Sequence, residues 1–319
     1  MLNRAVLVIF MALATLWGGV SHSENKTPGK VHAFASILPI AFFVKRVGGP
    51  NVEVNVLVGP GQDPHTFDPT PKVMAKLAEA QVLFKMGFPF EDSLIKKVGS
   101  AHEALQVVDL QQGIKLRPIT DEDAEAEDAG HGHGEAEERE HVHGEDREHS
   151  HDAGDMDPHS WLDPQLAKIQ AQTIADTLIR IDPGHQAHYE KNLKDLQADL
   201  EAVHGQLTHA LAPVKGKSFF VFHPAYGYFG DAYGLKQIAV QTGGKEPTAK
   251  QLARLIDRAG KDDVKIIFVQ PQFSRKSAEA LAQAIGGAVV PLDDLAPDYL
   301  RNLQDMAAKV GSALTPQKK

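Results

Sequence analysis

Along two stretches of this chain, short apolar runs of strand length alternate with segments of helical periodicity, and few folds accommodate that alternation. Val31 to Ser36 and Val52 to Val58 read as strands on either side of an apolar helix from Ile37 to Val47. Pro71 to Ala80 and Glu91 to Val98 read as helices, and Gln81 to Met86 and Leu105 to Leu110 as strands. A second series places strands at Ser218 to Phe222, Gln237 to Gln241, Val264 to Gln270 and Ala288 to Leu292. Its helices are Ala225 to Tyr233, Thr248 to Ala259, Ser277 to Ile285 and Asp298 to Ala313. Strands separated by helices belong to parallel sheets with helices on their faces, so the expected fold class is α/β with two lobes.

Two helical segments lie between the series. Pro164 to Ile181 is stopped by the breaker cluster Asp182-Pro183-Gly184. After it, Tyr189, Leu193, Leu196, Leu200, Val203, Leu207 and Leu211 recur at spacings of three and four up to Pro213. This pattern describes one amphipathic helix from His185 to Ala212, about 28 residues and roughly 42 Å long, with a break at Gly205 as the alternative. The expected organisation is a first lobe over 30–181, a linker helix over 183–212 acting as a rigid spine, and a second lobe over 213–319.

The chain has 319 residues, 42% hydrophobic and 24% charged, with no cysteine. Disulfide scaffolds, thiolate zinc sites, iron–sulfur clusters and thiol nucleophiles are thereby excluded. Arg4, the apolar run Ala5 to Trp17 and the small residues Gly18, Gly19 and Ser21 read as a signal peptide over 1–22, which implies export to a periplasm-like space. A lipoprotein anchor would need a cysteine at the cleavage zone. The net charge of -9 is unevenly spread: residues 121–157 hold 16 of the 42 acids and only Arg139 and Arg147 of the 33 bases. That insert also carries His131, His133, His141, His143, His149 and His151 among carboxylates and glycines. Nothing in it can build a core, so it is expected to be a disordered loop whose imidazoles gather divalent cations weakly and exchange them quickly.

A specific site needs ligands held by the fold, and three histidines stand where ordered structure would hold them. His65 lies in Gly61-Gln62-Asp63-Pro64-His65, after the second strand. His159 lies in Asp157-Pro158-His159-Ser160-Trp161-Leu162-Asp163-Pro164, where the insert returns to ordered structure. His223 follows Phe219-Phe220-Val221-Phe222. Ligands of open α/β sheets bind beyond the carboxyl ends of the strands, so these rings are placed to converge between the lobes. Asp293, at the end of the last strand, can supply an oxygen, with Asp294 as the fallback. Asp63, Asp68 and Asp163 are near enough in sequence to orient the rings.

The Gly61 to His65 and Asp157 to Pro164 motifs, together with Phe222-His223-Pro224-Ala225-Tyr226-Gly227-Tyr228-Phe229, resemble in order the solute-binding proteins of bacterial metal ABC transporters, and most closely their zinc branch. The resemblance implies two α/β lobes joined by a long helix, with one Zn2+ carried as transported substrate in the interlobe cleft. It implies His65, His159 and His223 as ligands with Asp293 as the fourth, and a periplasmic monomer. It also implies a membrane permease as partner, with a periplasmic zinc chaperone as a second, and no nucleic acid. A histidine at 223, where the manganese branch has a glutamate, favours zinc. The competing readings are a manganese or iron receptor of the same architecture, a surface adhesin, and a zinc hydrolase with an activated water. No H-E-x-x-H motif supports the last, so the chain is expected not to be an enzyme.

Overall fold

The computed structural model describes residues 29–99, 104–119, 156–241 and 247–315. The expected signal peptide and the six histidines of the insert lie outside them. Eight strands and nine α-helices are described, in two parallel four-stranded sheets. The first sheet contains β1 (Val31–Ala35), β2 (Val52–Val56), β3 (Val82–Lys85) and β4 (Gln106–Asp109), in the order β2-β1-β3-β4. The second contains β5 (Ser218–Val221), β6 (Lys236–Ala239), β7 (Ile266–Val269) and β8 (Ala288–Pro291), in the equivalent order β6-β5-β7-β8. In each sheet the winding reverses next to the first strand, between β1 and β3 and between β5 and β7, which is where a crevice opens beyond the strand ends.

The helices are α1 (Leu38–Gly48), α2 (Pro71–Leu77), α3 (Pro89–Gly99), α4 (Pro164–Ile181), α5 (Gln186–Leu211), α6 (Gly227–Tyr233), α7 (Ala249–Lys261), α8 (Lys276–Ala284) and α9 (Tyr299–Leu314). Helix α5 is unbroken over 26 residues, so Gly205 does not interrupt it. Its stripe from Tyr189 to Leu211 is buried, against α1 and α4 on one side and α9 on the other. None of the described helices is long and apolar enough to cross a membrane.

The lobes share interior. One apolar core includes Phe34 and Phe84 of the first sheet, Leu200 of α5, Phe219 of the second sheet and Leu303 of α9. Helix α9, the last element of the second series, turns back so that Tyr299 packs on Phe42 and Phe43 of α1, with ring centroids 5.9 and 4.7 Å away. The Tyr299 hydroxyl donates to the carbonyl of Trp161 at 2.5 Å. The far face of the second sheet has its own smaller core around Phe220, Ile267 and Leu281. A continuous core across α5 resists separation of the lobes, because hinging would expose apolar surface at about 25 cal/mol per Å².

Candidate metal centre

Three chain segments bring their histidines together. His65 stands in the loop after β2, His159 at the head of the turn Ser160–Leu162 that leads into α4, and His223 just beyond β5. One ligand nitrogen from each lies within 4.8 Å of the others, and among the described residues this is the one such group. Ring centroids are 4.7 Å apart for His65 and His223, 5.3 Å for His159 and His223, and 5.7 Å for His65 and His159. His159 and His223 are buried, and His65 is exposed at the mouth.

Asp63-Pro64-His65 and Asp157-Pro158-His159 use one local device. In each, the aspartate Oδ1 accepts the backbone N–H of the histidine two residues on, at 2.9 Å. The proline between them presets the turn. Asp157 goes further: the same oxygen takes the Nδ1 hydrogen of His159 at 2.7 Å. That bond fixes the tautomer and leaves Nε2 with its lone pair. On the other side Gln241, at the end of the neighbouring strand β6, accepts from His223 Nδ1 at 2.9 Å. Gln270 holds the His223 backbone from both sides, accepting its N–H at 3.3 Å and donating to its carbonyl at 3.1 Å. His223 Nε2 is buried and has no hydrogen-bond partner among the described residues. An orphaned buried acceptor is costly.

Burial, and after it the imidazoles of His159 and His65, hold His223 well below the ordinary imidazole range, with Gln241 opposing in part. The ring is therefore a neutral donor at physiological pH. Phe88 meets His65 and His159 edge-on at 5.5 and 6.3 Å, Trp161 packs on His159 at 5.1 Å, and Phe273 stacks on His223 at 5.0 Å. These aromatic walls lower the local dielectric and strengthen any charge–ligand interaction within them.

Neither aspartate that the sequence offers as an oxygen donor belongs to the histidine group. Asp293 lies outside the histidine group, and its Oδ1 accepts from the Leu295 amide at 2.9 Å and from Gln272 Nε2 at 3.2 Å. Asp294 is the buried member of the pair, and its Oδ1 has no partner among the described residues. Trp161 Nε1 donates to the Asp294 carbonyl at 2.9 Å and ties this corner to His159. Asp163 serves as the N-cap of α4, accepting from Gln165, and Asp63 accepts the His65 backbone N–H and the Thr66 hydroxyl. Asp157 and Gln241, which orient the rings, were not singled out in the sequence. The repeated Asp-Pro-His tripeptide is a signal for the first; nothing local points to the second.

Burial pushes the Asp294 carboxyl up to about 7, opposed by His159 and reinforced by Asp293. Between its ordinary value and that one, the folded protein holds a proton the unfolded chain has lost, so this group's contribution to stability falls as pH rises. Urea unfolding of metal-free protein and of Asp294→Asn should diverge with pH. The variant gains about 3 kcal/mol on the wild type between about pH 4.5 and pH 8. Equal slopes would mean the carboxyl is solvated.

A family model described as "Zinc-uptake complex component A periplasmic" matches residues 34–313. The high-affinity zinc uptake system protein ZnuA of Brucella abortus (strain 2308) is 34% identical over 323 residues, covering 92% of this chain and 95% of the relative. Its namesake in Bacillus subtilis (strain 168) is 31% identical over 279 residues, covering 86% of this chain and 81% of the relative. Among solved structures, one of ZnuA superposes with a TM-score of 0.76 at 34% identity, covering 90% of this chain and all of the other. A zinc-bound ZnuA deletion mutant does so with the same TM-score at 35% identity, covering 91% of this chain and 100% of that one. With the family model matched from the first strand to the last helix, this chain belongs to the ZnuA family of periplasmic zinc-uptake components.

Proposed function

We propose that this protein is an extracytoplasmic receptor that captures Zn2+ with high affinity and delivers it to the permease of an ABC transporter. The observation that carries the reading is the meeting of three imidazoles from segments far apart in the chain, two of them buried with their Nδ1 atoms already engaged. His65, His159 and His223 are the proposed ligands, with Asp293 or its buried neighbour Asp294 as the proposed oxygen donor. Zinc binds imidazole nitrogen at about 2.0–2.1 Å, so a shared ion needs N···N separations of about 3.3 Å, which small side-chain rotations supply. A nitrogen-rich set favours zinc over manganese, which prefers more oxygens. The names of the Brucella abortus and Bacillus subtilis relatives, both high-affinity zinc uptake system proteins, support the same ion.

In the same reading, residues 1–22 direct export and the mature chain is a free periplasmic monomer that binds its ion without catalysis. The lobes divide as 30–181 and 213–319 around a linker helix at 183–212. The histidines of 121–157 collect ions for the cleft, and a periplasmic zinc chaperone is a second source. Calorimetric titration of metal-stripped protein tests this. One tight zinc equivalent is expected, weaker manganese binding, and loss of only weak extra equivalents when 121–157 is deleted. A deletion that removes the tight equivalent would place the specific site in the insert.

A further inference from the structure

Arg117, which the capture reading does not use, lies at the junction of both lobes and one proposed ligand. It follows β4 in the first lobe, where Asp157 N–H donates to its carbonyl at 2.9 Å and Pro118 bridges to Met156. Its guanidinium pairs with Asp157 Oδ2 through Nη1 at 3.3 Å and with Asp231 of α6 through Nε at 3.1 Å. Tyr228 of α6 completes the joint: its hydroxyl accepts the Arg117 N–H and donates to the Asp157 carbonyl, both at 3.0 Å. The Asp157 side chain is fully buried, whereas Asp231 is 65% exposed.

Resting on the capture reading, we infer that Arg117 is a positioning residue for the metal site: held by α6, it anchors the Asp157 carboxylate whose other oxygen sets the His159 ring. A carboxylate gripped on one oxygen only can rotate about Cβ–Cγ, and the ring it holds then loses both tautomer and direction. The guanidinium charge acts with the opposite sign, because it repels a cation. That repulsion is weakened by the carboxylate lying between, whereas loss of the anchor acts on the ligand itself, so the net effect of removing Arg117 is weaker zinc binding. Gly227 makes the approach possible. A Cβ at this position would lie 1.4 Å from Arg117 Nη1 and 2.8 Å from Asp157 Oδ2, so any larger residue displaces the guanidinium from the second lobe's side.

The test is zinc affinity by chelator competition, with the visible spectrum of the cobalt-substituted protein as a report on ligand geometry. Arg117→Met and Gly227→Ala should each bind zinc about 10–100-fold more weakly and shift the cobalt bands. Lysine, unable to span two carboxylates at once, should restore only part of the affinity. Asp231→Asn, on the exposed side, keeps the fold and should show a smaller loss of the same kind. Because Arg117 acts through Asp157, Arg117→Met should add less than about twofold in an Asp157→Asn background. A merely structural role would lower the urea midpoint while leaving zinc affinity and the cobalt spectrum unchanged, and would overturn the inference alone. Tighter binding, or an additive loss in the double variant, would also overturn it. A wild type with no tight zinc site would overturn the capture reading and this inference together.

Discussion

His159→Ala and His223→Ala should each cost the protein its tight zinc equivalent. Protein zinc sites with four ligands bind with about 10–16 kcal/mol, so one ligand accounts for roughly 3–4 kcal/mol, or about 10²–10³ in affinity. Each change also removes a ring from its partner, since His223→Ala takes away the donor to the Gln241 oxygen and His159→Ala leaves Asp157 Oδ1 with only the backbone N–H of residue 159. His65→Ala should cost less. His65 is exposed at the mouth, so water can take its place as a ligand. The expected order is therefore His159 and His223 together, then His65, read by chelator competition with circular dichroism as the control for folding. Wild-type affinity in both buried-histidine variants would show that the tight ion sits elsewhere.

The second large effect is on stability and lies beneath the site. Glu91 is fully buried, and its carboxylate accepts the N–H groups of Met86 at 2.9 Å, Gly87 at 2.6 Å and Phe88 at 2.9 Å, and the Ser36 hydroxyl. Burial raises its pKa, and these hydrogen bonds hold it down in part. The carboxylate thus satisfies three backbone donors where the chain leaves β3. Gly87 sits there at φ +89°, a conformation that strains other residues. Glu91→Ala would leave those donors buried without partners at about 1–3 kcal/mol each, on the order of 5 kcal/mol in total. Since domains are stable by about 5–15 kcal/mol, the variant should be close to unfolding at room temperature. Glu91→Gln keeps one acceptor oxygen and should fall between. Urea midpoints order the three proteins, and a Glu91→Ala within about 1 kcal/mol of wild type would mean that water replaces the carboxylate. Phe88, which packs on His65 and His159, belongs to the same turn, so zinc affinity should fall with stability.

Strand and helix positions were largely legible because burial on both faces of a parallel sheet leaves apolar runs that any reader of hydropathy finds. The expected helix at 185–212 and the observed α5 at Gln186–Leu211 differ by one residue at each end. The errors fall at ends, where side chains decide. Helix α6 starts at Gly227 and not Ala225, because the Ala225 N–H turns back to the His223 carbonyl and the Tyr226 N–H goes to Gln237 on β6. Helix α3 starts two residues before Glu91, since that glutamate closes the turn ahead of it.

That the three histidines meet was legible from their loops, because residue type and strand-end placement are local properties. Which neighbouring aspartate is buried was not, because Asp293 and Asp294 are chemically identical and only the Trp161 contact and the Leu295 turn separate them. The same holds for Gln241, Gln270 and Arg117, each of which reaches its partner across a sheet or between lobes. Periodicity and turn chemistry act within a few residues of one another and so are written along the chain. Orientation of a histidine ring depends on groups brought near only when sheets and helices have packed, and that information exists in three dimensions alone.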